Sequence, residues 1–189
     1  MNQYPPQSAL LDPNWMSGRR LKLVRIPAGI RDWLSDPGSL TARLKRNCKE
    51  SFRVRLRSQG WGWPLYSEER LLGMRRGEAA IVREIELLID EVPWVFARTV
   101  IPASSLRGPA RRLTMLGTKP LGEVLFADPH THRVVMEMAH FHARHNLFQQ
   151  AVASLNTQPQ ELWGRRTLFN LAGSPLLVNE LFLPAVGAT

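Results

Sequence analysis

Leu168 to Pro184 reads LFNLAGSPLLVNELFLP, two apolar runs separated by Ala172-Gly173-Ser174-Pro175. Gly and Pro set together between two such runs mark a tight corner, so the stretch is expected to be a β-hairpin. Strand alternation in the second run puts Leu177, Asn179, Leu181 and Leu183 on one face and Leu176, Val178, Glu180 and Phe182 on the other. Glu180 is thereby flanked by apolar residues. A buried, unpaired carboxylate costs several kcal/mol, so Glu180 is expected to carry a partner, a ligand or a raised pKa.

The same alternation recurs upstream. Ala80 to Ile89 places Ile81, Arg83, Ile85, Leu87 and Ile89 on one face and Val82, Glu84, Glu86 and Leu88 on the other. Asp90-Glu91-Val92-Pro93 turns the chain, and Trp94, Phe96, Arg98 and Val100 then alternate with Val95, Ala97, Thr99 and Ile101. A guanidinium keeps its proton, so on an apolar face it needs an anion or several acceptors. Arg83, Arg98 and Glu180 are three charges in apolar settings. They are candidates for a binding site, or for a buried ion-pair network that serves the fold alone.

With 189 residues and 44% hydrophobic content, the chain is expected to form a single domain, 1–189, with one core. No run approaches the ~18 apolar residues that span a bilayer, and the N-terminus lacks a basic segment followed by an apolar one, so a cytoplasmic protein without membrane insertion is expected. The single cysteine, Cys48, fits a reducing compartment. The net charge of +9 raises nucleic-acid binding. The basic residues are scattered, however, and no helix-turn-helix, finger or RNA-binding signature accompanies them. A solvated basic surface that steers small anions is the reading adopted.

Outside the two hairpins, residues 1–20 are expected to be a loosely docked arm. Ser39 is placed as the N-cap of a helix from Leu40 to about Cys48, and Phe52, Val54 and Leu56 alternate with Arg53, Arg55 and Arg57 as a strand whose basic face meets solvent. Gly60-Trp61-Gly62-Trp63-Pro64 ends that strand, as a cover over a site or as a packed loop. Ser67 starts a short helix. A helix is predicted over Leu106–Leu116, stopped by Gly117, and Thr118 is placed as the cap of another with Pro120 in its first turn, which would aim the amide near Leu121 out of a helix N-terminus. All five histidines fall in residues 130–160. On a helix His142 and His145 would share a face, and exposed helical histidines are expected there, with no metal centre. No phosphate loop, paired metal carboxylates or serine elbow occurs, so no cofactor is implied.

Several motifs in one order carry a likeness to a known family: Val82-Arg83-Glu84-Ile85; Pro93-Trp94 with Ala97-Arg98-Thr99-Val100-Ile101-Pro102; Leu116-Gly117-Thr118-Lys119-Pro120-Leu121-Gly122 with Leu125-Phe126; Leu162-Trp163-Gly164-Arg165-Arg166; and Pro175-Leu176-Leu177 with Glu180-Leu181-Phe182-Leu183-Pro184. In these the chain resembles chorismate pyruvate-lyases, which split chorismate into 4-hydroxybenzoate and pyruvate for ubiquinone synthesis. The resemblance implies an α+β fold with a single antiparallel sheet, helices packed on it, an enclosed ligand pocket, no cofactor and a monomer. It further implies that Arg83 and the backbone amide of Leu121 hold the ring carboxylate, that Glu180 faces the hydroxyl, and that Leu40 takes the place of a methionine in a covering flap. Glu180 is the candidate catalytic acid or base; the alternative is that the hydrogen passes within the substrate to the enolpyruvyl methylene and the protein only fixes the conformer. Arg98 is the candidate for the second carboxylate of the substrate.

A second class of function is a non-enzymatic effector-binding domain, since such domains of some transcription regulators resemble the same fold. They need a DNA-binding partner domain, and the first 75 residues give no convincing one.

Overall fold

Two hairpins with two-residue turns set the register of the sheet. At Ala172 (φ 50°) and Gly173 (φ 84°), and again at Asp90 (φ 49°) and Glu91 (φ 64°), both central residues are left-handed, the turn whose twist matches that of the flanking strands. The Asn170 side chain accepts a hydrogen bond from the Gly173 N–H at 2.7 Å, and that of Asp90 accepts one from the Ser51 N–H at 2.8 Å. These side chains hold backbone that would otherwise be costly for residues bearing a Cβ.

The computed structural model describes residues 11–21, 24–49 and 51–188; the first half of the expected arm, residues 1–10, lies outside them. The elements are β1 (Met16–Ser17), α1 (Gly18–Leu21), α2 (Ala28–Ser35), α3 (Leu40–Asn47), β2 (Phe52–Gly62), α4 (Tyr66–Leu72), β3 (Ala80–Ile89), β4 (Val92–Pro102), α5 (Leu121–Ala127), β5 (Thr131–His142), α6 (Asn146–Val152), β6 (Glu161–Leu171) and β7 (Ser174–Phe182), with 3-10 helices at Gly108–Met115 and Pro184–Ala188 among others. All seven strands form one antiparallel sheet in the order β1-β5-β6-β7-β4-β3-β2. The expected α+β class with a single antiparallel sheet is therefore what the chain adopts.

The sheet has a helix layer on each face. On the front, Ile85, Leu87, Val95, Trp163 and Phe182 pack beneath α2 and α3, including Trp33, Leu34, Leu40 and Leu44. Further along that face Ile81, Ile101, Phe169, Leu171 and Val178 pack beneath Leu113, Leu116, Leu121 and Leu125. On the back, Phe96, Phe141, Leu162 and Leu181 meet Leu147, Phe148, Ala151 and Val152 of α6. The front layer is thus built in two pieces, and the sheet is open between them.

Several local expectations change. Residues 11–20 are docked rather than loose: β1 pairs with β5, and Leu11 makes a parallel bridge to His145. The strand at Phe52 continues through Gly62, because Gly60, Trp61 and Gly62 pair with Val82, Ile81 and Ala80; the segment read as either a cover or a packed loop is, through Gly62, sheet. Its basic face is not simply solvated, since Arg55 and Arg57 both reach the buried carboxylate of Glu86. The turn after β3 is Asp90-Glu91 alone, and β4 begins at Val92. The Leu106–Leu116 helix is a 3-10 helix, Gly108–Met115, and Pro120 rather than Thr118 occupies the N-cap of α5. The histidine segment holds a strand and then a helix: β5 carries His132, His140 and His142, paired to β6 with an irregularity at Val134, and His145 is the N-cap of α6. The N-cap at Ser39 is as expected, its hydroxyl accepting from the Ala42 N–H at 3.3 Å.

Candidate active site

The gap between the two front pieces is a pocket. Its floor is the sheet, with Arg83, Ile85 and Leu87 of β3, Ala97 and Thr99 of β4, Arg165, Thr167 and Phe169 of β6, and Val178 and Glu180 of β7. One wall comes from Gly38, Leu40 and Thr41 at the start of α3, the other from Pro120, Leu121, Gly122, Leu125 and Phe126 of α5, and Arg133 enters from β5. Both walls meet above the floor. A Cβ added to Gly122 would stand 3.2 Å from the Thr41 hydroxyl and 3.4 Å from that of Ser39. Outside this contact Lys45 of α3 and Glu123 of α5 form an ion pair at 2.6 Å, about half exposed on both sides.

Of the expected site residues, Arg83, Leu121, Glu180 and Leu40 line this one pocket. Arg83 is 2% exposed. Its Nη2 donates to the carbonyls of Gly117 (2.9 Å) and Lys119 (3.0 Å), whereas its Nε is buried without a partner. Among the described residues no carboxylate pairs with it, and burial holds its guanidinium below the ordinary arginine range. A buried cation served only by neutral carbonyls is stabilised by an arriving anion.

Glu180 stands directly across from Arg165 in the β6–β7 ladder, and the Arg165 Nε donates to its Oε2 at 2.6 Å. Arg165 is fixed on its other side by the Trp33 and Asp36 carbonyls, at 3.0 and 2.8 Å from Nη1. The chain end of α2 thus sets the position of Arg165, and through it that of Glu180. Arg133 donates to the Pro37 carbonyl at 2.7 Å and lies over Phe126 and Phe169, with guanidinium-to-centroid distances of 5.8 and 5.5 Å. Its Nε too is buried without a partner. Burial first, and then the charge of Arg165, lower its pKa against the opposing pull of Glu180 and Asp36.

Arg98 does not belong to this site. Register decides it: Arg83 pairs with Thr99, and Arg98 pairs with Glu84, so Arg98 points to the back of the sheet. There its Nε and Nη2 bind Glu68 at 3.1 and 3.2 Å, its Nη1 binds Glu84 at 2.7 Å, and Asn179 donates to Glu68 at 2.8 Å. Burial pulls the Arg98 pKa down, and the two carboxylates more than offset it. This is the buried network that the sequence left open as a structural alternative, realised for Arg98 with Glu68 and Glu84, while Glu180 pairs separately with Arg165 and Arg83 pairs with neither. Arg133 and Arg165 are the residues that sequence reading missed. The pocket's charged side chains are three guanidiniums and one carboxylate, an excess of two positive charges.

Among the described residues no helix is long and apolar enough to cross a membrane. The fold is shared with solved structures of low sequence identity: the effector domain of PhnF from Mycobacterium smegmatis superposes with a TM-score of 0.53 at 19% identity, covering 78% of this chain and 90% of that one. Sequence relatives are far nearer. A protein of Aromatoleum aromaticum named "Probable chorismate pyruvate-lyase" is 44% identical over 164 residues, 86% of this chain and 88% of its own. One of the same name from Methylococcus capsulatus is 45% identical over 157 residues, 83% of this chain and 96% of its own. The family model described as chorismate lyase matches residues 11–187, a span that holds both walls, all seven strands and every residue lining the pocket, and the chain belongs to the chorismate lyase family.

Proposed function

We propose that this protein is a chorismate pyruvate-lyase that converts chorismate to 4-hydroxybenzoate and pyruvate, without a cofactor, in the cytoplasm. The observation that carries the reading is Arg83, a buried guanidinium with no carboxylate among the described residues, at the floor of a pocket whose charges sum to two positive. Chorismate is a dianion.

In this reading the ring carboxylate sits on Arg83, in range of the Leu121 amide. Arg133 takes the carboxylate of the enolpyruvyl group, the task first assigned to Arg98, and its buried Nε is the donor that remains for it. Leu40 and the walls exclude water. Chemistry then needs little: the C4 hydrogen leaves, the C3–O bond breaks, the ring becomes aromatic, and the enolpyruvyl methylene gains a hydrogen to become the methyl group of pyruvate. Arg165 holds Glu180 by Oε2, so its other oxygen is the base available to the C4 hydrogen. The apolar side chains of the floor and the fixed arginines hold the substrate in the conformer that eliminates. In this reading the protein acts as a monomer.

The test is direct. Purified protein incubated with chorismate should release 4-hydroxybenzoate and pyruvate in equal amounts, with and without a chelator. Absence of turnover, or its abolition by EDTA at a temperature where the protein stays folded, would sink the reading. The effector-domain alternative keeps the fold but predicts binding without turnover, and the identity to the lyases over most of the chain weighs against it.

A further inference from the structure

Where β5 and β6 begin their pairing, His140, His142 and Glu161 bring two imidazoles and a carboxylate together, with one possible ligand atom of each within 4.8 Å of the others. The backbone explains why. His140 and His142 are alternate residues of one strand and project from the same face, and Glu161 lies directly across the ladder from His142. A tetrahedral zinc ion with ligands at about 2.0–2.2 Å needs donor atoms separated by about 3.3 Å, and the donors of this trio lie within 4.8 Å of one another.

The first ligand is already oriented. The His140 ring stacks on Trp163 with centroids 4.5 Å apart and an interplanar angle of 11°, and the His142 ring meets it edge-on at 4.3 Å. The His140 Nε2 is buried and faces the Glu161 Oε2 at 2.9 Å, an ion pair when the imidazole is protonated. With the imidazole neutral, the same facing nitrogen and carboxylate oxygen are two donors that a divalent cation can bridge. His142 is anchored through its backbone, whose N–H donates to the His145 Nδ1 at 2.9 Å. Glu161 keeps half of its side chain in solvent, which leaves room for water as a fourth ligand.

We propose that His140, His142 and Glu161 form a binding site for a first-row divalent cation of the zinc class, which clips β5 to β6 beside Trp163. Two imidazoles and one carboxylate are a donor set that zinc accepts and that magnesium and calcium, which take oxygen ligands, do not. None of the three lines the pocket. The ion is therefore a strut of the sheet, separate from the lyase site, and turnover does not pass through it.

The experiment uses the untagged full chain, stripped with chelator and dialysed at pH 8, where histidine is mostly neutral. Titration with Co2+ should give intense visible d–d bands saturating at one ion per chain, and Zn2+ should displace the colour and raise the Tm by a few degrees. His142→Gln and Glu161→Gln, both at partly exposed positions, should each weaken Co2+ binding at least tenfold while circular dichroism and chorismate turnover match the parent. Weak octahedral bands only, no saturation at one equivalent, or equal affinity in parent and variants would overturn the site. Failure here leaves the lyase reading standing, and failure of chorismate turnover leaves the metal titration readable.

Discussion

Arg83→Ala removes a pocket guanidinium that, among the described residues, has only backbone carbonyls as partners. The loss of a buried charge-assisted pair should weaken 4-hydroxybenzoate binding by about 2–5 kcal/mol, and Arg83→Lys should recover only part of it, because an ammonium does not reproduce the planar fork. Calorimetric titration of folded variants checks both, and unchanged affinity in Arg83→Ala would remove it from the site. For Glu180 the question is the proton. Glu180→Gln should lower turnover about 10²–10⁴-fold while product still binds. With deuterium at C4, a Glu180 base open to solvent should leave the pyruvate methyl unlabelled. Full label retention together with near-normal turnover in Glu180→Gln would mean that the hydrogen passes within the substrate. Arg83 and Glu180 were legible in the sequence because alternation alone sets a charge among apolar neighbours. Arg98 looked the same by that rule and was misread, because alternation gives two faces and only the register with β3 says which is which. Arg165 was within reach too. The Ala172-Gly173 turn pairs Leu171 with Ser174, and counting back along the ladder from that pair brings Arg165 opposite Glu180. Arg165 lies three residues before Leu168, outside the two apolar runs that mark the hairpin, so the partner of Glu180 is legible only from the ladder count. Arg133 had no such signal, since its strand lay in the segment read as helical.

The elements that matter most to the pocket are joined by close approaches at two glycines. A Cβ at Gly164 would lie 2.8 Å from the Glu180 carbonyl oxygen and 2.9 Å from the Phe141 ring. Gly164→Ala should therefore push β6 from β7, cost about 1–3 kcal/mol in urea unfolding, and lower turnover as well, because Arg165 is the next residue. Loss of stability with turnover intact would show that the Arg165–Glu180 pair tolerates the shift. Gly122→Val tests the walls instead. Wedging α5 away from the Thr41 hydroxyl should speed product release and weaken product binding by about tenfold, with little change in Tm. In the parent, walls that must part to release product should make release slower than chemistry, so a single turnover should outpace the steady state. Equal rates would mean that the walls do not gate. The strand periods and the α3 cap could be read from the sequence because they are local. The α5 cap could not, since Thr118 satisfied the composition of a capping residue while Pro120, with its fixed φ, took the position.

At the scale of the molecule, the sheet separates two sets of buried charge. In front, Arg83, Arg133, Arg165 and Glu180 face the pocket; behind, Arg98 pairs with Glu68 and Glu84, and Asn179 donates to Glu68. Arg98→Ala should uncover Glu68 and cost about 3–5 kcal/mol of stability, yet leave KM for chorismate within about twofold in whatever protein folds. A large KM change without a stability loss would place Arg98 at the ligand after all. The strand order has a consequence for how the protein is made. The β6–β7 hairpin occupies the middle of the sheet, between β5 and β4, although it is synthesised after both. As the chain grows, the ribosome delivers two half-sheets, β2 to β4 and β1 with β5, each with an unpaired edge waiting for the centre. Until β7 emerges those edges are open to pairing with other chains, and a ribosome that stalls before Ser174 leaves a product with no keystone. Chaperone dependence should accordingly peak before β6 and β7 are made and fall once LFNLAGSPLLVNELFLP has emerged to close the sheet.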